Sequence, residues 1–448
     1  MPSPLAVRTQ VPGAVSARID DLDGRRIVIV DIDPARKAGA LNSADGATLT
    51  AAAELALAER IPLVACVASA GADVNEGIAP LHGWGRTARA LVACSGIVPT
   101  IAIVDGPTVS GPALLLGLVD LVVMTRTGYA FVTGPRVIRD ITGVRISGPE
   151  LGGADVHAHR SGVADLVAVD LDDAWDHVAE LLSYLPDHTD VEPPRHPTAD
   201  APTRSTPEVA ALLPETSMGS YDVREVVAGV VDDAHLVELR PGWAPNLVTA
   251  LATLDGRPVG IVANQPRSIA GTLDIPASQK GARFVSWCDA FGLPLVTFVD
   301  TPGFYPGKDL EWRGMIRKGA QLAFAYARAT VPRVSVTLRK SYGGAFIVMD
   351  AKTMGNDLAL AWPTAEIAVM GARGAVEILH RRADAADKAE LEADYSARLL
   401  NPWMAAERGY LDTVIDPADT RVALCAGLDL LDTKRETLVT RAHDNSPL

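Results

Sequence analysis

Short β-branched runs alternate along this chain with stretches whose apolar residues recur at helical spacing. "RRIVIVDI" (25–32) and "PVGIVANQ" (258–265) read as strands, and "TLTAAAELALAER" (48–60) and "ASQKGARFVSWCDAF" (277–291) as helices. Each helix leads into a buried strand, "IPLVACVAS" (61–69) or "LPLVTFVDT" (293–301), and a further strand follows, "TIAIVDG" (100–106) or "RVSVTLR" (333–339). Strands alternating with helices imply right-handed crossovers and a largely parallel sheet covered by helices, an α/β fold. The tail from Ala375 onward, with "DAADKAELEADYSARLL" inside it, reads as mostly helical and acidic, with its charges on a solvated face.

The same pattern occurs twice. "DGRR" starts at Asp23 and "DGRP" at Asp255, "AGAL" at Ala38 and "AGTL" at Ala270, and "IPL" at Ile61 and "LPL" at Leu293, all 232 residues apart. Further on, Val98-Pro99 answers Val331-Pro332, and Ser110-Gly111 answers Gly343-Gly344, at an offset of 233. "FVTGP" from Phe131 answers "AVMGA" from Ala368. A nearly constant offset across six ordered matches indicates a duplicated fold. The Pro-, Thr- and Asp-rich stretch Leu185 to Ser220 reads as an exposed connection. Two domains are therefore expected, 1–190 and 215–448, joined by a linker at 191–214.

Composition narrows the function. The 448 residues are 48% hydrophobic and 21% charged, enough to bury two cores. A net charge of −14 argues against a general nucleic-acid or anionic-membrane surface. Cys66, Cys94, Cys288 and Cys425 are widely spaced without a CxxC pattern, so packed thiols are expected rather than a disulfide scaffold or zinc ribbon. The first residues, "MPSPLAVRTQVPGA", carry no long apolar core and no run reaches membrane-spanning length, so a cytoplasmic protein is expected. His157 and His159 form an HxH without a legible third ligand, and no metal is expected. GxSxG, GxGxxG and GxxxxGK[ST] signatures are missing.

What stands out instead is a pair of glycine turns between a buried strand and a helix: "DGPTVSGPAL" (105–114) and "RKSYGGAFIV" (339–348). The first backbone N–H groups of a helix lack internal partners and carry partial positive charge. Small residues admit a substrate carbonyl to that backbone. Such a turn either packs a strand closely on a helix or cradles an oxygen on which negative charge develops, where each donor is worth about 2.7–4 kcal/mol in the transition state. Two matched turns favour the cradle, with chemistry supplied by substrate and cofactor.

The stretches "PGWAPNLVTALATLDGRPVGIVANQP", "IAGTLDIPASQKGARFVSWCDAFGLPLVTFVDTPGFYPG", "TVPRVSVTLRKSYGGAFIVM" and "AWPTAEIAVMGARGAVEIL" closely resemble the carboxyltransferase β subunits of biotin-dependent acyl-CoA carboxylases, of the actinobacterial acetyl-/propionyl-CoA type. The likeness runs from about Arg18 to about Leu430. It implies two tandem crotonase-like domains, a ring-shaped hexamer built from dimers, and an active site where the first domain of one subunit meets the second domain of its dimer partner. It also implies transfer of a carboxyl group from carboxybiotin, carried on a separate biotin carboxylase/biotin carrier subunit, to the α-carbon of acetyl- or propionyl-CoA. The biotin nitrogen, once decarboxylated, takes the α-proton, so no protein base is required.

Carried over residue by residue, Ser110 and Gly111 correspond to the oxyanion pair for the thioester enolate, and Gly344 and Ala345 to the pair for the biotin ureido oxygen. Gly71, Ala72, Gly106, Gly134 and Ile347 correspond to the acyl-CoA side, with Ile347 bearing on chain preference. Gly303, Phe304, Tyr342 and Gly343 correspond to the biotin side. Asp300 reads as part of the turn shaping that pocket wall rather than as a catalytic acid.

The first half departs from the pattern. Ser69-Ala70-Gly71-Ala72-Asp73 stands where the family usually has Ser-Gly-Gly-Ala-Arg, and Val109-Ser110-Gly111, followed by Pro112, where it usually has Ala-Gly-Gly. Lys352 and Met354 in "DAKTMG" do not form a biotinylation site, so the transfer half alone is expected. The alternatives left open are a scaffold-type paralogue beside a second β-type subunit, and a biotin-dependent acyl-CoA decarboxylase subunit.

Overall fold

The computed structural model of the protein describes residues 6–7, 13–216, 219–434 and 436–447. The opening stretch from which no leader is expected lies mostly outside them. The chain divides into two compact units, Met1–Pro194 with Arg240–Trp243, and Arg195–Leu239 with Ala244–Leu448.

The first unit is built on an eight-stranded sheet. In chain order its strands are β1 (Ala6–Val7), β2 (Val15–Leu22), β3 (Arg25–Ile32), β4 (Leu63–Ser69), β5 (Thr100–Val109), β6 (Leu121–Thr125), β7 (Tyr129–Phe131) and β8 (Leu166–Ala168). The spatial order is β1-β2-β3-β4-β5-β6-β8, with β7 beside β5. From β3 onward every pairing is parallel. Between strands run α1 (Ser43–Glu59) and α2 (Ala79–Cys94). Asn42 starts α1 as a reciprocal cap with Asp45.

The second unit repeats this with β9 (Leu236–Glu238), β10 (Leu247–Leu254), β11 (Arg257–Asn264), β12 (Leu295–Thr301), β13 (Arg333–Tyr342), β14 (Leu358–Ala361), β15 (Glu366–Ala368) and β16 (Thr413–Val414). Their order is β16-β14-β13-β12-β11-β10-β9, with β15 beside β13. The helices Ile275–Ala290 and Met315–Arg328 take the places of α1 and α2.

The expected parallel sheet needs one amendment: the first three strands of each sheet are antiparallel, β1–β2–β3 and β9–β10–β11. The Asp-Gly dipeptides of the repeat are the hairpin turns, with φ of 53° and 82° at Asp23-Gly24 and 52° and 70° at Asp255-Gly256. Positive φ at both positions matches the twist of paired strands, which is why Asp-Gly recurs there.

The duplication extends to backbone strain. Ala38 and Ala270 have φ of 55° and 56°, and Gly39 and Gly271 have 69° and 72°. The Pro-rich connection is more packed than its composition suggests. Thr206 and Val209 are fully buried, and Arg204 pairs with Asp200. Among the described residues no helix is long and apolar enough to cross a membrane. The four cysteines are free thiols.

Candidate functional site: two paired amide turns

Both turns arise where a strand changes partners. In the first unit, β5 pairs with β6 through Ile101–Val104 and then with β7 through Pro107–Val109. Gly106 sits at the changeover with φ of 127°, a conformation that excludes most side chains. The β4–β5 register also shifts between Val67 and Ser69, which frees the end of β4 to turn away. There the Ser69 hydroxyl donates to the Gly39 carbonyl at 2.7 Å and accepts from the Gly71 amide at 3.2 Å.

The chain then makes an isolated parallel bridge, Leu41 with Ala72. The Leu41 amide donates to the Gly71 carbonyl and the Asp73 amide to the Leu41 carbonyl, each at 2.8 Å. With its neighbours spent on Leu41, Ala72 directs its own N–H to the opposite edge. On that edge stands the end of β5, because a Cβ on Gly71 would lie 3.3 Å from the Val109 carbonyl oxygen and 3.6 Å from Ser110 Cβ.

At that end Ser110 has φ 64° and ψ −122°, and a short helix, α3 (Gly111–Leu115), begins. The Ser110 amide donates to the Phe131 carbonyl at 3.0 Å and is thereby spent on the sheet edge. Pro112 has no amide to give. Gly111 is thus the residue of the expected pair whose N–H opens α3. It lies beside the Ala72 turn, one donor from each of two turns. Gly134 starts the next helix, Pro135–Thr142, where a Cβ would meet the Phe131 ring at 3.4 Å.

The second unit reproduces this geometry. Leu273 bridges Phe304, taking the Gly303 carbonyl at 3.0 Å and the Tyr305 amide at 2.9 Å. Gly303 has φ of 137° and Gly343 of 59°. Gly344 stands against Phe304, whose ring a Cβ at 344 would meet at 3.4 Å. By strand register Val109 pairs with Phe131 as Tyr342 pairs with Ala368. Ser110, Gly111 and Pro112 therefore match Gly343, Gly344 and Ala345. The two pairs expected from sequence are one residue out of step with each other. The position common to both turns is Gly111 and Gly344, opposite Ala72 and Phe304.

The surroundings differ in charge and packing. Asp73 is buried and its carboxylate takes Lys37 Nζ at 2.7 Å and Asn75 Nδ2 at 2.8 Å. The Lys37 hydrogen bond, with the Asn75 amide and side chain, draws its acid group down to about 2. In the second unit Asp300, the last residue but one of β12, is also buried. It accepts from Tyr221 Oη at 2.9 Å, Arg339 Nε at 2.8 Å and the Lys340 amide at 3.2 Å. It ties β12 to β13. Tyr342 donates to Glu366, and burial pushes its phenol up. Ala345 is fully buried while Ile347 is 45% exposed. His157 is used within its own unit, contacting the Ala130 carbonyl at 2.8 Å and Ser161 Oγ at 2.6 Å. Among the described residues no group of three or more His, Cys, Asp or Glu could hold a metal ion.

Sequence reading missed Trp84, whose indole N–H donates to the Gly111 carbonyl at 2.7 Å. No local signal marks a contact between residues 27 positions apart.

The scaffold is a duplicated α/β unit in which, at the matched turn of each copy, a strand that changes partners runs into a short helix. The carboxyl transferase domain family matches residues 6–446, and the chain belongs to that family. It is 43% identical over 446 residues to the propionyl-CoA carboxylase beta chain of Saccharopolyspora erythraea, covering 95% of this chain and 82% of that one. It is equally similar, at 43% over 446 residues, to the biotin-dependent acetyl-/propionyl-coenzyme A carboxylase beta5 subunit of Mycobacterium tuberculosis, covering 95% and 81%. A transcarboxylase 12S crystal structure, described as a hexamer with methylmalonyl-coenzyme A and methylmalonic acid bound, superimposes with a TM-score of 0.95 at 40% identity, over 97% of this chain and 85% of that chain. The expected duplicated crotonase-like fold is thereby borne out.

Proposed function

We propose that this chain is the carboxyltransferase subunit of a biotin-dependent acyl-CoA carboxylase, moving a carboxyl group from carboxybiotin to the α-carbon of a short-chain acyl-CoA. Family membership supports the reaction class, and the observation that carries the site is the repeated pairing of one amide from each of two turns. Ala72 and Gly111 serve the thioester oxygen as it becomes an enolate. Phe304 and Gly344 serve the ureido oxygen of carboxybiotin, a substrate delivered on another subunit.

The step balances without a protein base. The N–CO2 bond breaks, the ureido nitrogen takes the α-proton, and the enolate carbon forms the new bond to CO2. The protein's part is positioning and charge stabilisation, worth about 2.7–4 kcal/mol per donor. Acetyl- and propionyl-CoA are the substrates proposed. The partners are a biotin carboxylase/biotin carrier subunit and further copies of this chain in a dimer-based hexamer, with first and second turns contributed by opposite protomers.

The test is ATP-dependent carboxylation of acetyl-, propionyl- and butyryl-CoA by the purified chain, alone and with a biotinylated carboxylase subunit. Product is expected only when the biotinylated subunit is present. A requirement for an additional β-type subunit would replace this reading with a scaffold role.

A further inference from the structure

We infer that Trp84 is a positioning residue for the thioester-side amide of Gly111, an inference that rests on the site proposed above. Its placement begins with Gly46 and Gly83. A Cβ on Gly46 would lie 2.6 Å from Gly83 Cα, so α1 and α2 approach backbone to backbone. That close approach seats the first turns of α2, and with them Trp84, over the start of α3. The indole N–H then donates to the Gly111 carbonyl at 2.7 Å. The ring also closes the space above Gly111, because a Cβ there would lie 2.8 Å from indole Cδ1 and 3.0 Å from Nε1.

Gly111 is therefore held from both sides. Upstream, the Ser110 amide is bonded to the Phe131 carbonyl at 3.0 Å; downstream, its own carbonyl is bonded to Trp84 at 2.7 Å. Between these two bonds lies the peptide whose N–H is the donor. A glycine free at both φ and ψ needs such restraint, since a preorganised donor is useful only where the oxygen will develop charge. Pro112 sharpens the need, because the next peptide has no N–H to share the charge. At the second turn, Ile316, 232 residues beyond Trp84, is 85% exposed and has no polar side-chain atom.

The test uses the full chain and the reverse transfer from methylmalonyl-CoA to free biotin, which needs no partner subunit. Trp84→Phe keeps an aromatic ring and removes the N–H. The expected result is a kcat lowered about tenfold or more with KM for methylmalonyl-CoA within about threefold, because a donor that acts in the transition state moves kcat before KM. Trp84→Met carries the same comparison if the Phe variant does not fold. A second readout tests whether the ring and Gly111 are coupled. Gly111→Ala is expected to lose more activity in the wild-type background than in Trp84→Ala, where the clashing ring is gone. Unchanged kcat in Trp84→Phe, or additive losses in the double variant, overturn the inference. If Trp84→Phe is neutral while Gly111→Pro, which removes the amide itself, is inactive, the clamp alone is wrong. If both are neutral, the proposed thioester site falls with it.

Discussion

The amide of Ser110 is bonded to the carbonyl of Phe131 at 3.0 Å, so the residue at the crest of the first turn faces the sheet edge with its donor. Ser110 holds φ 64° and ψ −122° to do so, whereas the equivalent Gly343 holds 59° without a Cβ. A non-glycine residue held in a sparsely populated region costs about 1–3 kcal/mol. Ser110→Gly is expected to raise the unfolding free energy by an amount in that range, offset in part by greater unfolded-chain freedom. Urea unfolding checks this, with transfer activity retained within about twofold because the donor at Gly111 is untouched.

Asp300 ties two strand ends together through Arg339 and Tyr221, and all three are buried. Asp300→Ala leaves the Arg339 guanidinium without its carboxylate, and removing one member of a buried pair costs about 3–5 kcal/mol. Tyr221→Phe removes a single hydrogen bond and is expected to cost about 1 kcal/mol. The ordering, read by chemical denaturation, checks whether the carboxylate is a structural tie. Equal losses for the two variants contradict it.

The Lys37–Asp73 pair gives the first unit a pH-dependent element. Asp73 sits at about 2, below its ordinary 3.8, because Lys37 and Asn75 stabilise the carboxylate. A depressed carboxylate contributes stability that is complete above its unfolded value and is lost as pH falls toward the folded one. Asp73→Asn is therefore expected to flatten the stability loss between about pH 4 and 2. Acid titration followed by circular dichroism reads the difference.

Burial pushes the Cys66 thiol up to about 12 and those of Cys94 and Cys425 up to about 11, and raises Cys288 well above its usual range. The thiolate is the reactive form. Native protein at pH 8 is expected to react slowly with a thiol reagent at every cysteine. All four should react at once in denaturant. A fast-reacting native thiol contradicts this.

Ile347 stands three residues beyond Gly344 and is 45% exposed. Ile347→Asp is expected to change the ratio of acetyl- to propionyl-CoA carboxylation, read as kcat/KM for each. An unchanged ratio removes Ile347 from the determinants of chain length.

Much of this protein was determined by local sequence. The β-branched runs, the helical spacing at 48–60 and 277–291, and the 232-residue repeat dictate two copies of one α/β unit, because hydrophobic period and turn chemistry are local properties. Only the tertiary structure decided which amides remain to act. Ser110 and Gly111 look equivalent as a dipeptide, yet Phe131 takes the first amide and Trp84 takes the carbonyl of the second. Ala72 and Phe304 are placed by bridges to Leu41 and Leu273, 31 residues earlier in each case. Hydrogen-bond partners across such separations are set by strand register and helix approach, which no short stretch of chain encodes.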